Sequence, residues 1–229
     1  MCGRLDISNT PQNFARQLNW LDVICDTQAR PRYNVPPGSY VPLMHLQDGR
    51  RHIDDLYWGY RPAWAAAATP APGKKRIPVA INARLEKLTG SYWKPLLRGG
   101  RALVAASGWY EWTGEKGKRQ PWHIHRKDRQ PIFMLALANF GAFKENREES
   151  GFVLVTADAQ GGMVDVHDRR PVVLSAADAA LWLDPVLSAE QAAELARSAA
   201  LGPEHFEWHR VSAAVNRPVS EGAELISPV

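Results

Sequence analysis

The hydrophobic residues of this chain fall mostly into short runs with the spacing of β-strands. Unbroken apolar runs predict buried strands at 101–107, 131–139 and 152–156. Alternating segments at 40–46 and 53–60 flank the pair Asp48-Gly49, which favours a tight hairpin turn. Further strands are predicted at 121–126, 171–174 and 206–211. The dominant pattern is therefore that of a β-sheet protein.

Helical spacing is rarer, and it is clearest near the N-terminus. Thr10 and Pro11 are typical of an N-cap and a first helical residue, and the helix they begin should reach about Trp20. Its apolar positions are Phe14, Leu18 and Leu21. A second helix is predicted near 85–93, directly after a short strand end.

The region after the last apolar runs is predicted to contain two more helices. Ser175 is suited to cap a helix over 176–183. Ser188 and Gln191 have the spacing of a capping box, which should begin a helix that ends near Ser198.

Three stretches are predicted to be turns or loops: the Pro-rich 30–39, the Ala- and Pro-rich 63–78, and the polar 141–150. About eight strands and about four helices, without regular β-α-β alternation, predict an α+β fold. Composition does not change abruptly along the chain, so we expect a single domain over residues 1–229.

Composition narrows the class of protein. With 45% hydrophobic and 23% charged residues, the 229-residue chain is ordinary for a globular protein. It contains no apolar run of about 18 residues and no secretory signal, so a cytoplasmic protein without membrane association is expected. The two cysteines, Cys2 and Cys25, indicate a reducing compartment and form no C-x-x-C zinc motif.

Charge and aromatic content point toward anionic partners without requiring them. The net charge is +4, and the pI is near 9.2. The chain has nine tryptophans, and surfaces that bind single-stranded nucleic acid combine aromatic rings with basic groups. Tryptophan is equally at home in a hydrophobic core, so both interpretations stay open at this point.

The tetrapeptide Met1-Cys2-Gly3-Arg4 carries the most distinctive chemistry of the sequence. If Met1 is removed, Cys2 bears both a free α-amine, with an ordinary pKa of about 7.7–8.0, and a thiol, with one of about 8.5. Such a 1,2-aminothiol attacks one carbonyl twice, first as an amine that forms a Schiff base and then as a thiol that closes a thiazolidine ring. The simpler interpretation is that Cys2 is a small buried residue.

Three further side chains are candidates for proton transfer or positioning. Asn82 follows a short apolar strand, where a helix-capping role is the simpler interpretation. Glu111 lies between two aromatic residues; strand alternation allows it to face solvent, whereas an inward position would raise its pKa and make it a proton donor. His167 has the usual pKa range of a proton shuttle, although a single histidine is commonly structural.

Basic residues accompany these candidates. Arginines that are able to hold phosphates stand beside them at Arg4, Arg84, Arg169 and Arg170. His123 and His125 share one face of a strand, a spacing that allows both to bind one metal ion, but no third ligand is close in sequence. We therefore predict no metal and no cofactor.

Six motifs, taken in order, resemble one family over essentially the whole chain. They are Met1-Cys2-Gly3-Arg4, the 32–38 segment RYNVPPG, the 58–60 segment WGY, the 81–84 segment INAR, the 108–112 segment GWYEW, and the 167–171 segment HDRRP. Together they resemble the SRAP (SOS-response-associated peptidase) family, whose bacterial members shield abasic sites in single-stranded DNA.

The resemblance implies a compact fold of curved, mixed or antiparallel β-sheets with a barrel-like core, flanked by helices. It implies one pocket formed by the catalytic residues Cys2, Asn82, Glu111 and His167. It also implies a basic channel for DNA: the residues matching family contacts to the DNA backbone or bases are Arg4, Asn34, Pro37, Arg84 and Arg169. The expected partner is single-stranded DNA carrying abasic sites near replication forks or in the nucleoid, and the expected state is a monomer.

One departure from the family pattern concerns base stacking. The family has a Trp-Trp pair after the WGY segment, whereas this chain has Trp64-Ala65. The loop that follows is longer and contains Lys74, Lys75 and Arg76, whose charges are expected to offset the missing ring.

The sequence-based hypothesis is that Cys2, after loss of Met1, forms a thiazolidine cross-link with the open aldehyde of an abasic deoxyribose. Glu111 assists ring opening, His167 transfers protons, and Asn82 positions the amine. Weak lyase activity and self-cleavage before Cys2, a cysteine peptidase activity, are related possibilities.

Two other classes are kept as alternatives. Glutamine amidotransferases also begin with Met-Cys-Gly, so an N-terminal-nucleophile hydrolase is one. A non-covalent single-strand-binding module that uses basic and aromatic residues is the other.

Overall fold

Two β-sheets form the frame of the molecule. The computed structural model describes residues 2–67, 73, 75–115, 118–140 and 149–229. Within these residues there are 14 strands. In chain order they are β1 (Leu5–Ile7), β2 (Ile24–Asp26), β3 (Arg32–Val35), β4 (Tyr40–Gln47), β5 (Arg50–Tyr57), β6 (Asn82–Arg84), β7 (Arg101–Ala106), β8 (Gly108–Thr113), β9 (Gln120–Arg126), β10 (Ile132–Ala138), β11 (Phe152–Asp158), β12 (Arg169–Pro171), β13 (Val173–Leu174) and β14 (Phe206–Arg210).

Short helices lie between and around the strands. The α-helices are α1 (Pro11–Gln17), α2 (Ala63–Ala67), α3 (Lys94–Gly99), α4 (Ala176–Leu183) and α5 (Ala189–Ser198). Single turns of 3-10 helix occur at Leu85–Lys87, Gly161–Asp165, Pro203–His205, Ala213–Asn216 and Ala223–Ile226. None of the helices in the described ranges has the length and hydropathy needed to cross a bilayer.

The strand order explains how distant segments meet. The five-stranded sheet has the order β14-β9-β8-β1-β3. The nine-stranded sheet follows the path β12-β11-β10-β7-β4-β5-β2, with β13 paired to β10 and β6 paired to β11. This arrangement confirms the α+β class. Across the described strands the curved sheets stay open at their ends, so the core is not a closed barrel.

The core lies between and beside these sheets. Every residue of β7 and β10 is buried, as expected for the longest apolar runs of the sequence. Trp58, Trp109 and Trp182 are also fully buried, and two of them donate indole hydrogen bonds to backbone carbonyls. Tryptophan therefore serves mainly as a packing residue at these positions.

Several local predictions are confirmed. β4 and β5 form the predicted hairpin, and both turn residues, Asp48 and Gly49, have positive φ angles, as this tight turn requires. Thr10 and Ser175 cap α1 and α4, and Ser188 forms the predicted capping box with Gln191.

Other boundaries were wrong for local physical reasons. α1 ends at Gln17 rather than near Trp20, and Leu21 is 86% exposed. The helix predicted near 85–93 is a single 3-10 turn, because Gly90 is a poor helix former and Pro95 favours a fresh helix start at Lys94.

The predicted turn regions also contain regular structure. The 30–39 stretch includes β3, which pairs with β1. The start of the 63–78 stretch is α2, consistent with the high helix propensity of alanine. The rest of that prediction lies partly outside the described residues, at 68–72 and 74, and the 141–150 loop does so at 141–148.

Candidate active site and nucleic-acid interface

Cys2 is positioned by the strand that directly follows it. β1 lies between β3 and β8, with Leu5 opposite Trp109 and Asp6 opposite Gly108. The same antiparallel register, continued toward the N-terminus, brings Gly3 opposite Glu111, and the Tyr110 amide donates to the Arg4 carbonyl at 3.0 Å. The start of the chain is thus held beside the motif around Glu111.

The Cys2 thiol is in a closed environment. The residue is fully buried. Burial raises the pKa of the thiol well above its ordinary value, and the nearby Glu111 carboxylate contributes in the same direction. The thiol is consequently protonated at neutral pH, so its attack requires its proton to move.

Glu111 faces inward, the second of the two orientations that the sequence allowed. It is 2% exposed on β8, and Tyr110 is buried on the opposite face of the same strand. Burial raises the pKa of Glu111 to about 8. A carboxyl group with this pKa is largely protonated at neutral pH, and it is able to donate a proton and then take one back.

Asn82 contacts the backbone of Cys2 directly. Its side-chain Nδ2 donates to the Cys2 carbonyl at 3.0 Å. Asn82 lies on β6, parallel to β11, and the residue at the N-cap of the following turn is Arg84, so the helix-capping interpretation was wrong. The Asn82 Oδ1 is buried and has no hydrogen-bond partner among the described residues. One acceptor therefore points into this region without a partner.

His167 completes the cluster from the far end of the chain. It follows the 3-10 turn Gly161–Asp165, and its Nε2 lies 3.9 Å from Glu111 Oε2. Its Nδ1 accepts the Arg169 amide at 2.9 Å. The Asp168 carboxylate favours the protonated ring, but burial has the larger effect and lowers the pKa of His167. The same Nδ1 lies 2.8 Å from Asp168 Oδ1, a contact that requires a proton on Nδ1, whereas the Arg169 amide requires a lone pair there. In either tautomer, Nε2 is the ring nitrogen that lies near Glu111.

A basic groove lies on the face of β8 that carries Tyr110 and Trp112, opposite to the face that carries Glu111. It has a volume of about 620 Å³, begins at Gly3 and is lined by Arg4, Trp112, Lys118 and Arg119. The Arg4 guanidinium lies 5.7 Å from the Trp112 ring centre. The basic turn containing Lys118 and Arg119 is visible in the sequence, but only the pairing of β8 with both β1 and β9 brings it into one groove with Arg4.

Asn34 lies beneath the groove and binds its lining residue Arg4. It is fully buried; its Oδ1 accepts from Arg4 at 2.6 Å, and its amide donates to the carbonyls of Val215, Arg217 and Ser220. All of its polar atoms are therefore engaged within the protein. Its present effect is to orient Arg4, and a direct contact with DNA stays a prediction.

The other predicted DNA-contacting residues occupy different environments. Arg169 is buried and binds the carboxylates of Glu86 and Asp158. Arg84 is exposed at the end of β6, and Pro37 is half-buried in the turn between β3 and β4. The structure leaves their nucleic-acid contacts as predictions, with Arg84 the more accessible of the two arginines.

The aromatic departure from the family pattern is visible in the structure. Trp64 is 60% exposed, whereas Ala65 is buried. Tyr92 packs edge-on against Trp64 with a ring separation of 6.0 Å, so another aromatic ring stands beside the single tryptophan. Lys75 and Arg76 are exposed, and Lys74 lies outside the described residues.

Several known proteins are similar to this chain over nearly its full length. The abasic site processing protein YedK of Escherichia coli is 41% identical over 100% of both chains. The abasic site processing protein YoqW of Bacillus subtilis is 28% identical over 99% of both chains. The chicken abasic site processing protein HMCES is 27% identical over 95% of this chain and 71% of its own length.

The fold also occurs in solved structures. A phage-related protein from Bordetella bronchiseptica is 37% identical, with a TM-score of 0.76 over 92% of this chain and 94% of its own. The family model for SOS response associated peptidase (SRAP) matches residues 1–218. With that match and the 41% identity over the whole chain, the protein belongs to the SRAP family.

Proposed function

We propose that this protein processes abasic sites in single-stranded DNA by forming a thiazolidine cross-link through Cys2 after Met1 is removed. The observation that carries the proposal is the buried cluster in which the Asn82 amide binds the Cys2 carbonyl and a carboxyl with a pKa of about 8 lies beside the thiol. A basic groove lined by Gly3 and Arg4, the two residues that follow Cys2, suits a phosphate chain. Relatives named abasic site processing proteins support the same substrate.

The first step of the proposed reaction forms an imine. An abasic deoxyribose exists partly as a ring-opened aldehyde, and Glu111 donates a proton that promotes opening. The neutral Cys2 amine adds to C1′ and gives a carbinolamine. Loss of one water molecule, with a proton supplied by Glu111 or His167, leaves a C1′=N bond. The unpartnered Asn82 Oδ1 is suited to accept a hydrogen bond from the amine.

The second step closes the ring. The Cys2 sulfur adds to the imine carbon, forming a C–S bond, and the thiol proton moves to the nitrogen through Glu111 or His167. The product is a thiazolidine, and the net change is the loss of one water molecule per aldehyde. Because the thiol pKa is raised by burial, a nearby proton acceptor is needed for this step.

Burial also protects the intermediate. Water hydrolyses an imine, and a closed site limits its access before the sulfur attacks. The same step requires a free α-amine on Cys2, so a chain that keeps Met1 is inactive in this chemistry. Removal of Met1 is therefore a condition of the proposed function.

A denaturing gel tests the proposal directly. Mature protein is incubated with a single-stranded oligonucleotide that carries one abasic site, and a covalent band is expected that is absent with intact DNA. Cys2→Ala should abolish the thiazolidine, whereas Cys25→Ala should not, because Cys25 lies on β2 in the other sheet. A variant with one alanine inserted between Met1 and Cys2 should also fail, since the amine then belongs to another residue.

The same samples discriminate among the alternatives. The mass of the N-terminal peptide reports removal of Met1 and the addition of the sugar. Trapping with borohydride in Cys2→Ala, through the new terminal amine, would indicate imine-based lyase activity. Ammonia release from glutamine would indicate a hydrolase, and binding that salt reverses completely would indicate a binding module. A wild-type protein that gives no covalent band overturns the proposal.

A further inference from the structure

Three histidines meet on the outer side of the five-stranded sheet. His123 and His125 lie two residues apart on β9, and His209 lies opposite His123 on β14. One ligand atom from each ring lies within 4.8 Å of the other two. The ring centres are 5.4, 5.6 and 5.6 Å apart, and His123 and His125 are each only 3% exposed.

Each ring has one nitrogen held by an acceptor. His123 Nε2 lies 3.0 Å from Asp6 Oδ2, His125 Nδ1 is 2.9 Å from the Arg126 carbonyl, and His209 Nε2 is 2.8 Å from the Ile226 carbonyl. A neutral ring that donates from one nitrogen has a lone pair on the other. Metal-binding histidines are typically oriented by such outer hydrogen bonds.

The second nitrogen of each ring is the candidate ligand atom. These atoms are His123 Nδ1, His125 Nε2 and His209 Nδ1. The first of these is buried and has no hydrogen-bond partner in the described part of the chain.

Glu207 and Arg129 contact each other and His125 at the exposed side of the histidine cluster. Glu207 lies opposite His125 across the sheet, with Oε1 3.5 Å from His125 Nε2. Arg129 approaches the same His125 nitrogen at 3.1 Å and the Glu207 carboxylate at 3.0 Å. The Arg129 side chain is largely exposed to solvent. Its positive charge occupies the place where a metal ion would lie.

We propose that His123, His125 and His209, with Glu207 as a fourth ligand, form a site for a divalent transition metal, with Zn²⁺ the best fit. Tetrahedral zinc with ligand distances of about 2.0–2.1 Å requires nitrogens about 3.4 Å apart, so the ligand atoms, now within 4.8 Å of one another, must move closer when the ion binds. Imidazole together with one carboxylate suits Zn²⁺ better than Ca²⁺ or Mg²⁺.

This site is separate from the Cys2 cluster and is expected to be structural. His123 pairs with Tyr110, whose side chain lies on the opposite face of β8 from Glu111. A bound ion would connect β9 to β14. Through the hydrogen bond from His209 to Ile226, it would also fasten the C-terminal segment to the sheet.

Metal titration of untagged protein tests the proposal. Cys2→Ala is used as the background, because a free N-terminal cysteine is itself a metal ligand. Chelator-treated protein is titrated with Zn²⁺, and with Co²⁺ as a visible probe. We expect one equivalent to bind, the intense d–d absorption of tetrahedral Co²⁺ without a thiolate band, and a rise in Tm on metal addition.

Variants separate ligation from simple folding effects. His209→Ala should weaken binding by at least about tenfold, a change comparable to the loss of a supporting residue at a metal site. Glu207→Gln, at an exposed position, should weaken it with little effect on the metal-free fold. His205→Ala, an exposed histidine before β14, is the matched control and should bind like the background. Equal Zn²⁺ affinity in the background and the His209→Ala and Glu207→Gln variants, or no tetrahedral Co²⁺ spectrum, overturns the proposal.

Discussion

Burial sets the protonation state of the side chains around Cys2. The same enclosure raises the pKa of the Cys2 thiol and that of Glu111, and it lowers the pKa of His167. Each group is thereby held in its neutral form near pH 7. Neutral side chains are able to donate or accept a proton without first breaking an ion pair. This suits a reaction that moves protons among an amine, a thiol and a sugar.

The buried carboxyl group of Glu111 should make stability depend on pH. Its folded-state pKa of about 8 exceeds the ordinary value of 4.5, so between these pH values the folded state binds more protons than the unfolded state. Stability from this group is therefore full below about pH 4.5, falls as the pH rises to 8, and is constant above. The change corresponds to at most on the order of 5 kcal/mol.

Glu111→Gln should remove this pH dependence. We expect the variant to be more stable than wild type at pH 9 by a few kcal/mol, and to differ little at pH 5. Urea unfolding at both pH values measures the difference. Glu115→Gln, an exposed position just beyond β8, is the control. A difference between Glu111→Gln and wild type that does not change with pH would contradict the inward, protonated position of this carboxyl.

At the scale of elements, β1 connects the functional regions. Cys2 precedes it, Arg4 lines the groove, and Asp6, two residues further on, lies on the same face of the strand as Arg4 and binds His123. Three residues of strand are enough because β1 pairs with both β3 and β8. A short central strand thus turns Arg4 and Asp6 to one face, while Leu5 and Ile7 pack into the hydrophobic core on the other.

The capping box of α5 is a test of local stabilisation. Ser188 accepts the Gln191 amide at 3.1 Å, and the Gln191 side chain accepts the Ser188 amide at 2.9 Å. Ser188→Ala should destabilise the protein by about 1 kcal/mol. Ser198→Ala, at the exposed last residue of the same helix, should cost less than about 0.5 kcal/mol. Chemical unfolding compares the two variants, and equal effects would mean that the cap contributes nothing.

At the scale of the whole molecule, positive charge is concentrated where the groove begins. Lys118 and Arg119 precede β9 at the groove end, and Lys127 follows β9 at the other end, roughly 26 Å from Arg119 along the strand. The overall charge of +4 is modest, so binding depends on the placement of basic residues more than on their number.

Salt dependence should reveal which of these charges contacts DNA. In the Cys2→Ala background with intact single-stranded DNA, binding should weaken as salt rises. Lys118→Ala should reduce the slope of log K against log salt by about 0.7, the value for one phosphate contact with a single strand. Lys127→Ala should leave the slope unchanged. Equal slopes for the two variants would place the DNA elsewhere.

Features that depend on neighbouring residues were determined by the sequence itself. Asp48-Gly49 specified the hairpin, Thr10, Ser175 and Ser188 specified helix starts, and apolar runs specified β7, β10 and β11. Turn geometry and capping act over a few residues, so their signals survive without tertiary context. The ordered motifs likewise identified the family and singled out Cys2.

The tertiary structure decided everything that depends on which distant strands pair. Only packing turned Glu111 inward, enclosed Asn34 behind Arg4 and made Tyr92 a neighbour of Trp64. Only the pairing of β9 with β14 brought His209 to the two histidines that lacked a third ligand in sequence. Burial and proximity are properties of the assembled sheets, and the pKa of a side chain follows from them rather than from its place in the chain.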